Sequence, residues 1–436
     1  MNLINTSNYI MNQDHLLLLK DSLKYAGSKV IPGLMGLVAV IVFVRMIGIE
    51  EYGKYSIQFS LLMVISSFAI HWLNASTLRY YSKYQSSVVL PRIFVFSVSI
   101  SIVFGLVVLA ITTRYNILES TAGLTSAISL YLFIALCTYQ FLSALFRAQL
   151  KPNNIIIITI VQSIFGLLIP VVFFKMLGLS YRFLLLGLAI SYSIPPIIYF
   201  LGNIQHIKKI FNRGNGEYKY KPVLISLFKY GLPLSLWFAL SMMLPFFDRF
   251  FIEYFFSYSI TGIYASFSDI LIRVFSIALF PITMAVHPRI MSAWNKNNQS
   301  AAIALWRKAL QYQLGIFIVL IAIVAIFTDQ IFSLIMIAFP ELNMTYSFLL
   351  MPILIGSFLW QFALLCHKAL EMDQRTGLMV LLMLAALVVN LSGNIIYLPR
   401  HGIIATAYTY MASAAVYIIT TIYFSRGKFM LVLSRA

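Results

Sequence analysis

The amino-acid sequence predicts an all-α integral membrane protein with twelve transmembrane helices in two groups of six. Of its 436 residues, 61% are hydrophobic and only 10% are charged, whereas an ordinary soluble domain carries about 25% charged residues. A single soluble core cannot bury that much apolar surface. A membrane helix needs roughly 20 predominantly apolar residues, so the chain has room for about a dozen such helices and for little else.

Twelve apolar stretches of the required length follow one another, separated by short polar segments. The last two are the clearest, because no charged residue lies between Arg375 and Arg400 or between Arg400 and Arg426. The eighth is the longest, and Pro281 and Pro288 predict that its second half is kinked or leaves the membrane. The predicted spans are 26–47, 55–77, 91–113, 124–146, 154–176, 182–204, 226–250, 258–290, 305–328, 345–367, 376–398 and 402–424.

The longest segment between spans contains KKIFNRGNGEYKYK and is predicted to be a solvated basic linker. The spans on its two sides echo each other, because the first begins SLKYAGSKVIPGL and the seventh begins SLFKYGLPLSLWF. Such parallel repeats are typical of transporters that bind substrate between their halves near the midplane. The predicted division is an N-terminal segment at 1–25, a six-helix bundle at 26–204, the linker at 205–225, a second six-helix bundle at 226–424 and a tail at 425–436.

The distribution of basic residues predicts the orientation of the chain. With twelve spans, 23 of the 31 Lys and Arg residues fall on the side of the N-terminus and seven on the opposite side. The positive-inside rule then puts both termini in the cytoplasm. The net charge of +18 is spread over many short loops without a nucleic-acid-binding motif, so we expect no nucleic-acid partner.

Five sequence motifs occur in a fixed order along the chain. They are VFVRMIGIEEYGKYS (42–56), ALFRAQLKPNN (144–154), KYGLPLSL (229–236), FFDRFFIEYFFSYSITGIYASFSDI (246–270) and VNLSGNIIYLPRHGIIATAYTY (389–410). By these motifs the chain resembles the polysaccharide-exporter branch of the multidrug/oligosaccharidyl-lipid/polysaccharide (MOP) flippase superfamily and, more narrowly, the O-antigen flippases of the Wzx type. It departs from their pattern at Thr406 and Tyr408, where a run of small residues is usual, so the identity of the substrate does not carry over.

The resemblance implies a MATE-like fold, with two six-helix bundles around a central cavity. It implies a flippase of the bacterial inner membrane that moves a polyprenyl-pyrophosphate-linked oligosaccharide, such as an O-antigen unit, from the inner to the outer leaflet by alternating access. The expected partners are this anionic substrate, membrane lipid and other membrane proteins of polysaccharide assembly. No cofactor, metal or catalytic residue is expected.

Asp269 and Arg273 are the charged residues that the sequence places well inside a span, away from its ends. They lie four residues apart on a presumed helix and can therefore form a pair. One interpretation is a self-contained ion pair that lowers its own cost in the membrane. The other is that Arg273 faces the cavity and binds an anionic head group, with Asp269 orienting it, since a guanidinium matches phosphate oxygens two at a time.

Other charges near span ends are further candidates. Arg45 and Lys29 are either interface anchors or cations of the cavity. Asp248 and Arg249 end the seventh span, where they either stabilise a bend as a pair or contribute to the cavity, Arg249 as a cation and Asp248 as a supporting or coupling group. We expect His71, His287 and His367 to be structural, and Asn390 and Asn394 to form hydrogen bonds between helices.

Two other function classes remain as alternatives. A cation-coupled multidrug exporter of the same fold is expected to need a buried acid in the first bundle, but Glu50, Glu51 and Glu119 there are placed in loops. An enzyme is disfavoured because no HExxH, DxD, Walker or nucleophile-elbow motif lies at a plausible position. The first observation favours an anionic substrate, and the second favours a transporter over an enzyme.

Overall fold

A computed structural model describes residues 30–84, 89–114, 124–212 and 220–433. Every regular element in these ranges is helical, and the twelve predicted membrane spans are confirmed as long apolar helices. The first six spans are α1 (Val30–Ile47), α2 (Ile49–Tyr84), α3 (Val89–Arg114), α4 (Leu124–Ala148), α5 (Pro152–Leu177) and α6 (Tyr181–Asn212).

The second group of helices contains three short elements besides the six spans. A 3₁₀ turn, Met344–Leu349, leads into the tenth span. The helices are α7 (Tyr220–Phe255), α8 (Tyr258–Asn295), α9 (Gln299–Ile326), α10 (Thr328–Ala338), α11 (Leu350–Cys366), α12 (Lys368–Met372), α13 (Thr376–His401), α14 (Ile403–Phe424) and α15 (Arg426–Leu433).

The helices extend beyond the predicted spans at several points. α8 continues without interruption through Pro281 and Pro288, so its second half stays helical. The short helix α10 follows the ninth span and was not predicted, because its 11 residues are too few to cross a membrane. α6 and α7 reach into the predicted linker, and α15 occupies much of the predicted tail. The N-terminal segment 1–25 lies outside the described residues.

Successive spans alternate in direction, which defines two faces of the molecule. We call the membrane face at which α1 begins the near face and the face at which α1 ends the far face. The turns that follow α1, α5 and α7 lie at the far face, and those that follow α2, α4 and α8 lie at the near face.

α2 is the central helix and joins the two halves of the chain. Toward the near face it packs along α7, where the Ser76 hydroxyl donates to the Leu227 carbonyl and the Ser235 hydroxyl donates to the Phe68 carbonyl at 2.8 Å. At the far face it meets α8. A Cβ on Gly262 of α8 would lie 2.0 Å from a backbone oxygen of α2, so the two backbones are in direct contact there.

Two main hydrophobic clusters hold this arrangement together. The larger one is built mainly from α1, α2, α4 and α6 and includes far-face residues of α8 and α10, such as Phe267 and Phe332, whose rings stack at 5.5 Å. The second lies between α9, α11, α13 and α14 and contains the fully buried Trp306 and Tyr417. The far-face ends of both halves therefore share one core.

Candidate functional site

A buried ion pair joins α7 to α8 toward the far face. Arg249 places Nη2 2.5 Å from Oδ1 of Asp269, and Arg249 is only 1% exposed. The hydroxyl of Tyr52 in α2 donates to the other oxygen of Asp269 at 2.7 Å. A charge at the centre of a membrane costs about 2.5–3.5 kcal/mol on insertion scales, so a buried pair of opposite charges is the arrangement that lowers this cost for both groups.

This pairing corrects the expectation for Asp269. Its ionic partner is Arg249 of α7 and not Arg273, because the short turn between α7 and α8 returns the chain antiparallel and brings Arg249 onto the face of α8 that carries Asp269. Arg249 is consequently neutralised and enclosed, so it does not act as a free cation of a cavity in this conformation. The arginine that Asp269 orients is therefore Arg249, and not Arg273 as expected.

Arg273 lies one helical turn further along α8, and no residue in the described part of the chain acts as its counter-ion. It has no hydrogen bond or ion pair with any residue that the structure describes, and none of its nitrogens is fully buried. Its guanidinium lies against Gly36 of α1, where a Cβ would be only 1.9 Å from Nη1. The absence of a side chain at Gly36 therefore makes the space that Arg273 occupies between the two halves.

Two tyrosines of the first half share this space with Arg273. The guanidinium lies close enough to Tyr55 in α2 and Tyr192 in α6 to influence their phenol groups electrostatically. Tyr192 also contacts Tyr139 of α4 edge to face, with ring centroids 5.2 Å apart. Arg273 therefore faces an aromatic wall formed by the opposite half of the molecule, in which phenol hydroxyls are the nearby polar groups.

Asp248 belongs to a second buried network, separate from that of its neighbour Arg249. Its Oδ1 accepts hydrogen bonds from Asn390 at 3.1 Å and Asn394 at 3.0 Å, and its Oδ2 accepts one from Tyr264 at 3.2 Å. The Thr406 hydroxyl donates to Asn394 Oδ1 at 2.8 Å. All five side chains are buried. The hydrogen bonds between helices expected of the two asparagines are present, and every donor to Asp248 is neutral.

The remaining candidate cations have different surroundings. Arg45, at the far end of α1, is exposed and donates from Nε to the Ala338 carbonyl at 2.9 Å and from Nη2 to the Ile337 carbonyl, both at the end of α10. Its hydrogen bonds are therefore to protein backbone. Lys29 lies outside the described residues.

Two of the three histidines belong to a charged cluster at the near-face end of the second half. Glu371 of α12 contacts His367 at 3.0 Å, Lys368 at 2.8 Å and His287 of α8 at 3.4 Å. His71 is stacked on Phe238 with ring centroids 4.0 Å apart. In this structure each of the three histidines has a packing or ion-pairing partner.

Tyr192, Glu341 and Glu371 were not singled out from the sequence. Glu371 stands four residues after His367 and three after Lys368, which is the helical spacing of an ion-pair cluster, so a search for that spacing would have found it. For Glu341 the only signal in the sequence is a weaker one: the chain has just 13 acidic residues in all, so each of them is a candidate for a specific role. Tyr192 carries none, because 26 tyrosines are scattered along the spans.

Comparisons with known proteins agree with this architecture. The model of the polysaccharide biosynthesis protein family matches residues 18–294, more than half of the chain. No curated protein matches the sequence. Among solved structures, a MATE transporter in complex with MaD3S superposes with a TM-score of 0.65 at 12% identity, and the match covers 96% of each chain.

Two further solved structures have the same fold. An outward-facing multidrug resistance MATE family transporter of the MOP superfamily gives a TM-score of 0.62 at 12% identity, with 96% of each chain covered. A MOP superfamily transporter from Pyrococcus furiosus gives 0.62 at 13% identity, with 94% of this chain and 96% of that chain covered. The chain therefore belongs to the polysaccharide biosynthesis protein family and is a multi-pass membrane protein with the fold of the MATE and MOP superfamily transporters.

Proposed function

We propose that this protein is a flippase that moves a polyprenyl-pyrophosphate-linked oligosaccharide, an O-antigen or similar repeat unit, from the inner to the outer leaflet of the bacterial inner membrane. The observation that carries the proposal is the guanidinium of Arg273, which is only half-buried and has no counter-ion among the described residues. Membership in the polysaccharide biosynthesis protein family supports a glycan as cargo. The protein acts as a transporter and not as an enzyme.

The surroundings of Arg273 favour an anionic head group. An unpaired charge at membrane depth is costly, and a chain retains one where a ligand supplies the opposite charge. Arginine keeps its charge when it is desolvated and binds phosphate oxygens in a two-point geometry. Because Arg249 is already neutralised by Asp269, Arg273 is the cation that receives the pyrophosphate. Tyr55 and Tyr192 line the same space and contact the first sugars.

The direction of transport follows from the charge asymmetry and the membrane potential. The near face carries most of the Lys and Arg residues and is therefore the cytoplasmic face, with both termini inside. A head group with two negative charges gains about 4.6 kcal/mol per 100 mV on leaving a negative interior, twice the value for one charge. The polyprenyl tail stays in lipid while the halves alternate between inward-open and outward-open states.

Asp248 is the proposed coupling group. Its carboxylate is buried and accepts hydrogen bonds from neutral side chains of α8 and α13, and the neighbouring Arg249 is already paired with Asp269, so the charge of Asp248 favours uptake of a proton or of a monovalent cation. Uptake or release there changes the packing of α7 against α13, the helix that carries both asparagines. Comparing transport by vesicles in sodium and in choline buffers, each at two pH values, distinguishes the cation from the proton.

The function is tested by complementation. The gene is deleted in its host and restored as wild type, Arg273→Ala, Arg273→Lys or Arg400→Ala, with membrane protein levels matched. Arg400 is the control because it is an exposed arginine at the far end of α13. We expect the alanine variant at position 273 to lose surface polysaccharide at least tenfold, since charge-assisted hydrogen bonds contribute about 1.5–3 kcal/mol, and the lysine variant to keep part of it.

The position of the block separates the possible outcomes. Lipid-linked oligosaccharide that accumulates in the inner leaflet of the deletion strain supports a flippase. Normal polysaccharide in Arg273→Ala removes the proposed role of this residue but leaves the flippase. Normal polysaccharide in the deletion strain, with no redundant exporter present, overturns the flippase and makes the cation-coupled multidrug exporter the function to test.

A further inference from the structure

Two reciprocal contacts tie the halves of the molecule together at the far face. Arg45, at the end of α1, donates to the last two carbonyls of α10, those of Ile337 and Ala338. A cation at the C-terminal end of a helix interacts favourably with the helix dipole and satisfies carbonyls that have no partner within the helix. The first half of the chain thus caps a helix of the second half.

The second half caps a helix of the first half in return. Glu341, three residues after the end of α10, accepts hydrogen bonds from the backbone N–H of Ile49 with both carboxylate oxygens, at 3.2 and 3.3 Å. Ile49 is the first residue of α2, so an anion lies at the positive end of that helix. The turn that carries this N–H depends on Gly48, whose φ of +83° is unfavourable for other residues.

We propose that these two caps form a far-face latch, defined by Arg45, Glu341, the C-terminal end of α10 and the N-terminal end of α2, that holds the transporter closed toward that face. The latch is independent of the nature of the cargo. Arg45 and Glu341 bind backbone groups of the opposite half, so separating the halves at this face breaks both caps at once. α10 is too short to span the membrane. Its role in the latch is to present the carbonyls that Arg45 caps and to position Glu341, which caps α2.

The exposure of the two side chains makes the latch reversible. Arg45 and Glu341 are both exposed, so water can replace their protein partners when the halves separate. Directly beneath the latch α2 and α8 meet backbone to backbone: a Cβ on Gly53 would lie 2.0 Å from the Tyr258 carbonyl oxygen. This close contact between α2 and α8 closes the path from the space between the halves to the far face. The latch adds a polar contact that can be broken at a modest cost in free energy.

Distances between spin labels test the latch in the purified, reconstituted protein. Far-face labels at Met176→Cys and Tyr254→Cys, which are 75% and 78% exposed, report separation of the two halves. Near-face labels at Leu150→Cys and Met430→Cys, 81% and 68% exposed, report the opposite side. The buried Cys137 and Cys366 are replaced by alanine in every sample.

Arg45→Ala and Glu341→Gln are each expected to increase the population of longer far-face distances roughly tenfold, as removal of a charge-assisted hydrogen bond predicts, while near-face distances shorten. Arg400→Ala and Asp329→Asn, which change exposed charges at the same face, are the matched controls and leave both distributions unchanged. Unchanged far-face distances in both latch variants overturn the proposal. Equal broadening at both faces also overturns it, because it indicates general loosening.

A charge exchange distinguishes the latch from an ordinary ion pair. In the double variant Arg45→Glu with Glu341→Arg, a simple salt bridge between the two side chains would be restored. The latch predicts the opposite result, since each side chain then faces the wrong end of a helix dipole. The far-face distances of this variant should exceed those of either single variant, and wild-type distances in it would refute the capping geometry.

Discussion

Gly36 offers a way to move the Arg273 guanidinium without changing its charge. In Gly36→Ala the new Cβ would lie 1.9 Å from Nη1 of Arg273, and ordinary contact begins near 3.4 Å. The guanidinium must therefore retreat by about 1.5 Å. It can do so because it is the end of a flexible side chain, so the fold should remain intact while the position of the cation changes.

The consequences for stability and for transport differ in sign. Replacing a glycine within a helix by alanine stabilises it by about 0.5–1 kcal/mol, which offsets the displacement of the side chain. Loss of the two-point contact with a phosphate costs about 1.5–3 kcal/mol in binding, equivalent to a roughly 10- to 100-fold weaker affinity. We therefore expect Gly36→Ala to unfold at or above the wild-type temperature and to transport poorly.

The assay combines thermal unfolding of the purified protein with the complementation described above. Gly315→Ala is the matched control, because Gly315 lies within α9 and a Cβ there meets no atom within 4 Å. The control should gain the same helix propensity and keep full transport. Wild-type transport by Gly36→Ala would refute the reasoning, since it would mean that displacement of Arg273 has no effect on the cargo.

Three further substitutions test the buried contacts by thermal unfolding, by transport and by folded yield, respectively, each against wild type and Gly377→Ala, where a Cβ meets no atom within 4 Å. Asp269→Asn leaves Arg249 buried and unpaired and should lower stability by about 3–5 kcal/mol; an unchanged melting temperature would contradict the pair. Asp248→Asn keeps the shape of its site, so it should fold normally but lose the dependence of transport on the coupling ion; retained dependence would remove this role. Gly262→Ala forces a Cβ to 2.0 Å from a backbone oxygen and should reduce the yield of folded protein, whereas a yield like that of the control would contradict the close α2–α8 contact.

The sequence by itself determined the membrane spans and their number. Hydropathy over some 20 residues is a local property, and a membrane span is decided by it, because no water is present to satisfy an exposed backbone. The twelve predicted spans are for this reason found again in the structure. α10 escaped prediction because its 11 residues give no signal of that length.

The partners of the charged residues were decided only by tertiary structure. The spacing of Asp269 and Arg273 is compatible with a pair on one helix face, but Arg249 of the neighbouring helix pairs with the carboxylate, and Arg273 has no ionic partner among the residues that the structure describes. Arg45 similarly binds carbonyls almost 300 positions away in the chain. Helical periodicity indicates which face of its helix a side chain occupies. Which group lies opposite that face depends on how distant helices pack, because ion pairing acts through space and has no regular spacing along the sequence.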